Sequence, residues 1–243
     1  MKRASGRKGR SVRILAVSDK VVETLYTPAI RDNVGLVDLL LACGDLPFYY
    51  LEFLVSMLDA PAFYVYGNHD HNLRYTEQGP VAIHPPGWVN LDERSVRVKG
   101  LLLAGLEGSI RYRPRGLHQY TQAEMHRKAL RLASRLLINR LVHGRYLDIL
   151  ITHSPPYGIH DGPDYAHTGF EAFLWLMARF RPRYLLHGHR HVYGREVTKS
   201  RYHRTWVLNV YPYRLIEVQT GRTKGPPAGR LAVRQGPPSA KEE

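Results

Sequence analysis

The sequence has one cysteine, Cys43, in 243 residues, so no internal disulfide can form. Cys43 closes an apolar run just before Gly44, where a buried structural thiol is expected rather than a reactive one. Nowhere do about 18 uncharged apolar residues follow one another, as a membrane-spanning helix requires. The apolar run Ile14–Val17, behind the basic stretch Met1–Arg10, is too short for a signal-peptide core. A cytoplasmic protein with no membrane partner is expected. No internal repeat is visible. Lysine is scarce: it makes up 8 of the 35 basic residues, leaving 27 arginines against 21 acidic residues. The net charge is +14 and the pI about 10. Such a surplus attracts polyanions, nucleic acid first among them. Arginine richness also follows from genome composition or a hot habitat, and much of the charge sits at the two ends. Nucleic acid is therefore a candidate partner that charge alone does not establish.

What is present suffices for one large domain. The hydrophobic share is 44%, enough for a real core, and the chain is too short for two. Residues 1–11 read as a basic flexible lead-in, 12–218 as a single domain, and the Gly/Pro-rich stretch 219–243 as a disordered tail. Within the domain, Val12–Val17, Val37–Cys43 and Ala62–Tyr66 read as buried strands, with a helix over Phe48–Leu58. Trp88–Asn90, Ser95–Lys99 and Leu101–Leu106 read as a meander of short strands. Thr121 and Glu124 form a T-x-x-E capping box that opens the longest helix, which runs to Val142 and is closed by Gly144. Its core face is expected to hold Met125, Ala129, Leu132, Leu136 and Leu137. Tyr146–Thr152, Tyr184–Leu186, Thr205–Val210 and Leu215–Val218 are further strands, with a helix over Phe170–Phe180. This alternation predicts an α/β core.

The informative feature is the polar cluster at the end of each strand. Asp19 comes after the first, Gly44-Asp45 after the second, and Gly67-Asn68-His69-Asp70 after the third. His153 comes after ILIT, and His187-Gly188-His189-Arg190-His191 after YLL. Catalytic groups in α/β sheets gather at the carboxyl ends of strands, so five clusters of Asp, Asn and His converge on one rim. Those donors suit divalent metals such as Zn, Mn or Fe. Two such ions a few ångströms apart clamp a phosphate and activate water.

These five clusters, in this order and spacing from Asp19 to His191, resemble the motifs of the calcineurin-like metallophosphoesterase superfamily. The resemblance implies a two-sheet β-sandwich flanked by helices, four layers deep, and hydrolysis of a phosphodiester or phosphomonoester by a metal-activated hydroxide. It implies one or two divalent ions, Mn, Fe or Zn. Asp45 would bridge them, Asp19 and His191 would complete the first site, and Asn68, His153 and His189 the second. His69 would act as general acid toward the leaving alkoxide, with Asp70 grouped beside it as catalytic by orienting a neighbour. His187 reads as a supporting or core residue. His160, Asp161 and His167, on the loop Pro155–Gly169, and Arg111, Arg113 and Arg115 read mainly as ordinary loop residues with some claim on substrate.

One position departs from the family pattern. The first motif is normally Asp-x-His, with the histidine a ligand, but here it reads Asp19-Lys20-Val21, and no histidine occurs before His69. Glu23 or water would have to fill the gap, leaving the first site weaker or selective for a harder ion such as Mn. Two alternatives to a general phosphoesterase arise. One is a nuclease of the same chemistry; the other is a metal- or nucleic-acid-binding module whose catalysis is weakened by Val21.

Overall fold

A computed structural model describes residues 11–70, 73–194, 196–220 and 234–235. Two six-stranded sheets make the centre. The first runs, edge to edge, β16 (Arg234–Gln235), β15 (Tyr213–Gln219), β1 (Ser11–Val17), β2 (Leu39–Ala42), β3 (Ala62–Tyr64) and β6 (Trp88–Asn90). The second runs β13 (Lys199–Tyr202), β14 (Thr205–Asn209), β12 (Tyr184–His187), β11 (Ile149–Thr152), β8 (Leu101–Leu106) and β7 (Ser95–Val98). Two small ribbons, β4 (Leu73–Thr76) with β5 (Gly79–Ala82) and β9 (Ser109–Ile110) with β10 (Gln119–Tyr120), lie outside them.

Period-2 alternation explains why these strands are apolar throughout. In β1, Val12, Ile14 and Ala16 face the space between the sheets, while Leu15 and Val17 face outward. In β2, Leu39 and Leu41 point inward, and Leu40 and Ala42 outward. The outward side is covered by α1 (Ile30–Val34) and α2 (Phe48–Leu58), which contribute Ile30, Val34, Tyr50, Leu51, Leu54 and Leu58. The second sheet repeats the scheme. Leu103, Ile149, Ile151, Leu186 and Leu208 join the inner core. Ala104, Leu150, Leu185 and Val207 meet α3 (Gln122–His143) and α4 (Glu171–Phe180). The four layers are therefore helix, sheet, sheet, helix, each buried large apolar side chain contributing about 1.5–3 kcal/mol.

Local signals set the helix ends. Thr121 accepts from the Glu124 backbone N–H while Glu124 reaches back to the Thr121 N–H, a cap worth about 1 kcal/mol. Gly144 closes α3 with φ 73°, and Arg181 closes α4 in the left-handed region, one residue before Pro182.

Three expectations change. The strands Trp88–Asn90, Ser95–Val98 and Leu101–Leu106 do not form a meander. The first pairs in parallel with β3 in one sheet, and the other two form a hairpin in the other. Buried Leu91 and the Asp92–Gly105 bridge carry the chain across, which strand propensity alone does not encode. Leu137 is 46% exposed, because the helix surface it occupies has rotated past the stripe that meets the sheet. Gln219 belongs to β15, and Arg234–Gln235 pairs antiparallel with Arg214–Leu215. The rest of the expected tail, residues 221–233 and 236–243, and residues 1–10 of the lead-in lie outside the described residues.

Candidate metal centre

Strands β1, β2 and β3 run in parallel, as do β8, β11, β12 and β14, so their carboxyl ends carry the polar clusters to shared rims. The two rims are stitched together across the sandwich. His153 Nδ1 lies 2.7 Å from the Cys43 carbonyl, the Gly188 N–H donates to the His153 carbonyl at 3.0 Å, and the His189 N–H donates to Asp19 at 3.0 Å. Glycine is required where the loops touch. A Cβ on Gly188 would stand 1.7 Å from Ser18 Oγ, and one on Gly67 would stand 2.0 Å from Asp45 Oδ1. Asp19, Asp45 and His189 all have φ between 56° and 64°, a strained conformation held by the loops around them.

Four donor groups converge at the middle. Around His153 Nε2 lie Asn68 Oδ1 at 3.0 Å, His189 Nδ1 at 3.1 Å and Asp45 Oδ2 at 3.3 Å. Of these, Asp45, His153 and His189 bring ligand atoms within 4.8 Å of one another. The proton inventory says what they want. His153 uses its Nδ1–H on the Cys43 carbonyl, and His189 uses its Nε2–H on the Ala166 carbonyl at 3.0 Å. Asn68 donates its amide to Tyr112 Oη at 3.0 Å, which turns its oxygen inward. Lone pairs then face lone pairs around a carboxylate, an arrangement that only a shared proton or a cation satisfies. The spacings approach the roughly 3.4 Å edges of a tetrahedron with metal–ligand bonds near 2.1 Å. The donor set therefore fits a divalent ion.

Electrostatics agree. Burial would depress the His153 imidazole, but Asp45 and Asp19 override it and push it up to about 9. A proton on Nε2 stands in for the cation. Burial also acts to raise the Asp45 carboxyl, yet His153 holds it below the usual carboxylate range. Burial, assisted by Asp45 and opposed by His153, pushes Asp19 up to about 7. Burial and His153 push His189 down to about 3.

The first expected site is looser. His191 Nε2 stands 3.9 Å from Asp19 Oδ1, and its half-exposed ring stacks on Tyr211 with centroids 4.5 Å apart. Val21 packs against the α2-side core instead of entering the cleft. Glu23 is exposed and is not among the residues lining the cleft. The Lys20 charge is felt at His191, placing a cation near the position that lacks its histidine.

Asp70 is 7% exposed, and both its oxygens are taken by backbone N–H groups: Gly67 at 2.7 Å, Asp45 at 3.0 Å and Leu46 at 3.1 Å. Its geometry is that of a positioning residue locking the Gly44-Asp45 loop to the Gly67–Asp70 loop. His69 is exposed at the mouth, and its backbone N–H holds Asp45 Oδ1 at 2.8 Å. The cleft itself measures about 430 Å³ and is lined by Asp19, Asp45, His69, His167, His189 and His191. His187 is fully buried, supporting the loop from behind. Ser200 donates to His160, His160 Nδ1 to His187 Nε2 at 3.0 Å, and His187 to the Gly188 carbonyl. Asp161 accepts from the Gly158 and Gly169 N–H groups as a turn residue.

Sequence reasoning missed Tyr112, 44 residues from the asparagine it orients. It also missed Arg214, a buried guanidinium that donates to the Asn209 carbonyl and so braces the segment leading to Tyr211. Neither position carries a motif that would have drawn attention to it.

A helix-flanked double sheet with an Asp/Asn/His centre at its rim defines a metal-dependent phosphoesterase fold. The calcineurin-like phosphoesterase profile matches residues 13–193, and the chain belongs to that family. Among solved structures, TT1561 of Thermus thermophilus aligns with a TM-score of 0.59 at 19% identity, covering 85% of this chain and 94% of that one. A second crystal structure aligns at 0.60 with 14% identity, covering 87% and 100%. Vacuolar protein sorting 29 of Cryptosporidium parvum aligns at 0.43 with 10% identity, covering 86% of each chain, too distant to carry an argument. At these identities the likeness is one of fold. None of the curated proteins matches. Among the described residues, no helix is long and apolar enough to cross a membrane.

Proposed function

We propose that this protein hydrolyses phosphate esters, phosphodiesters before monoesters, with a divalent cation held by Asp45, Asn68, His153 and His189. The observation that carries this reading is the convergence of lone pairs from Asn68, His153 and His189 on the Asp45 carboxylate, beside an exposed histidine. A cation bound there supplies Lewis acidity toward phosphate and lowers the pKa of water. The chain's own residues do the rest. His69 is exposed at the mouth, and among the described residues it is anchored through its backbone N–H, so its imidazole can give a proton to the departing alkoxide. Diesters gain most from this, because an alkoxide is a poor leaving group until it is protonated. Asp70 and Tyr112 hold the ligands in register. Asp19 and His191 form a second, more open donor pair for a weaker ion, with Mn favoured over Fe or Zn by its tolerance of oxygen ligands.

The test is to load the protein with Mn, count metal per chain, and follow hydrolysis of bis(p-nitrophenyl) phosphate. Turnover is expected; His69→Ala should lower hydrolysis of a diester with an alkoxide leaving group by about 10²–10⁴-fold at unchanged metal content, and that of the aryl diester much less, because p-nitrophenolate departs without a proton. A second reading is favoured by Val21 and Lys20 at the first site: a module that binds metal or nucleic acid without catalysis. Bound metal without turnover would select it. Turnover of DNA or RNA falling steeply with salt would instead mark a nuclease.

A further inference from the structure

Beside the metal cleft lies a second cavity of about 340 Å³, whose lining includes Asn68, His69, Asp70, Arg113, Arg115 and Gln119. It shares His69 with the cleft but none of Asp19, Asp45, His189 or His191. The general acid therefore stands between the donor centre and a pair of arginines.

The loop carrying those arginines is built, not loose. Buried Gln119 accepts from the Tyr112 N–H at 3.3 Å and the Arg113 N–H at 3.1 Å. The Ser109 N–H donates to the His118 carbonyl and the Arg111 N–H to the Tyr120 carbonyl, each at 3.0 Å. His118 contacts Glu107 at 3.1 Å and stacks on Tyr66 with centroids 4.6 Å apart. Arg111 turns inward to Glu124 at 2.8 Å and to the Gln119 carbonyl. Tyr112 reaches across to the ligand Asn68. Of the loop's three arginines, Arg113 and Arg115 are left exposed, and neither forms an ion pair among the described residues. A buried glutamine, a histidine–glutamate contact and an inward arginine thus fix the loop that carries two guanidinium groups beside His69, while the Asp70 carboxylate in the same cavity is engaged by the Gly67, Asp45 and Leu46 N–H groups.

We propose that Arg113 and Arg115 form an anion subsite for a phosphate carried by the leaving group. The substrate class is then a phosphoester or phosphoanhydride whose departing half bears its own phosphate. A nucleotide polyphosphate and a nucleic-acid strand both supply that chemistry. This rests on the phosphoesterase reading. In the reaction, water oxygen bonds to phosphorus, the bond to the leaving oxygen breaks, and that oxygen takes the His69 proton, which water replaces. Guanidinium forks bind phosphate oxygens in a bidentate manner, and Arg113 and Arg115 are the two arginines lining this cavity.

The experiment has two halves. ADP, a leaving group with its own phosphates, is titrated onto metal-free protein in EDTA. Arg113→Gln/Arg115→Gln should weaken its binding by about tenfold or more, since charged hydrogen bonds are lost. The charge-matched control Arg127→Gln/Arg135→Gln, on the exposed face of α3, should weaken it less than twofold (about the effect of a distant surface charge). On Mn-loaded protein, KM for diadenosine tetraphosphate and for a single-stranded oligonucleotide is compared with KM for bis(p-nitrophenyl) phosphate, whose leaving group carries no phosphate. The KM ratio should shift by about tenfold in the Arg113/Arg115 variant for whichever source is used. Equal losses in the two double variants would overturn the subsite, because the overall charge would then be the binder. An unshifted KM ratio would overturn its assignment to the leaving group. If wild type fails to cleave the aryl diester while ADP binding still depends on Arg113 and Arg115, the phosphoesterase reading falls and the anion site stands.

Discussion

Removing the Asp70 carboxylate tests whether it positions the site. Its oxygens satisfy three buried N–H groups, those of Gly67, Asp45 and Leu46, at 2.7, 3.0 and 3.1 Å. Asp70→Ala leaves all three without an acceptor, at about 1–3 kcal/mol each. Water entering the gap recovers part of that, so a net loss of about 3–5 kcal/mol is expected. That is a large share of a total stability of about 5–15 kcal/mol. Asp70→Asn should cost less, about 1–2 kcal/mol: its amide oxygen keeps the Gly67 and Asp45 donors while its NH₂ group opposes Leu46. Two effects raise the Asp70 pKa, burial first and the Asp45 charge second, so a neutral amide also relieves repulsion. Urea denaturation of metal-free protein reads both variants, as a lower midpoint at unchanged slope. Mn affinity should fall with stability, because the loops holding Asp45 and Asn68 lose their register. An alanine variant within about 1 kcal/mol of wild type, or an asparagine variant worse than alanine, would show that Asp70 does not hold the loops.

Four further outcomes are expected from the same geometry. His153→Ala removes the nitrogen on which the other donors converge, so Mn content measured by elemental analysis should drop to near zero; unchanged content and activity would remove His153 from the ligand set. Gly188→Ala forces a Cβ to 1.7 Å from Ser18 Oγ and 2.3 Å from Asp19 Oδ2, so the Asp19 loop must move, and metal content or the yield of folded protein should fall. Val21→His should raise Mn per chain above wild type; no rise would show that the turn, which packs Val21 against the α2-side core, sets the stoichiometry. Burial and the neighbouring Arg214 push His160 down to about 4, so its neutral form stabilises the fold above its ordinary pKa of 6.5, and that stability is lost as pH falls toward 4. His160→Asn, which tolerates the φ of 61°, should therefore differ from wild type most at neutral pH and least near pH 4 in urea midpoints, and a constant gap would contradict the burial argument.

The legible parts of this protein are those with short-range causes. The α2 helix spans Phe48–Leu58 as its periodicity predicts, and α3 opens at the Thr121/Glu124 box. The strand ends and their polar clusters are readable because apolar runs stop abruptly at Asp19, Gly44, Gly67, His153 and His187. Partnership across the sandwich is not readable. Nothing local says that β6 leaves its neighbours in sequence to pair with β3, or that Tyr112 turns the amide of Asn68. Asp70 looks like chemistry because it stands beside His69, yet the three donors that claim it come from loops 24 residues apart and from its own turn. The departure at Val21 shows the same division. Sequence shows that a ligand is missing, and only the fold shows what stands there instead: a side chain turned to the core, an exposed Glu23, and a lysine whose charge reaches His191. The Lys20 charge, felt at His191, opposes a second cation there. The donors around His153 lie 3.0–3.3 Å from its Nε2, against 3.9 Å between His191 and Asp19, so the two halves of the centre should differ in affinity even though the strands present them side by side.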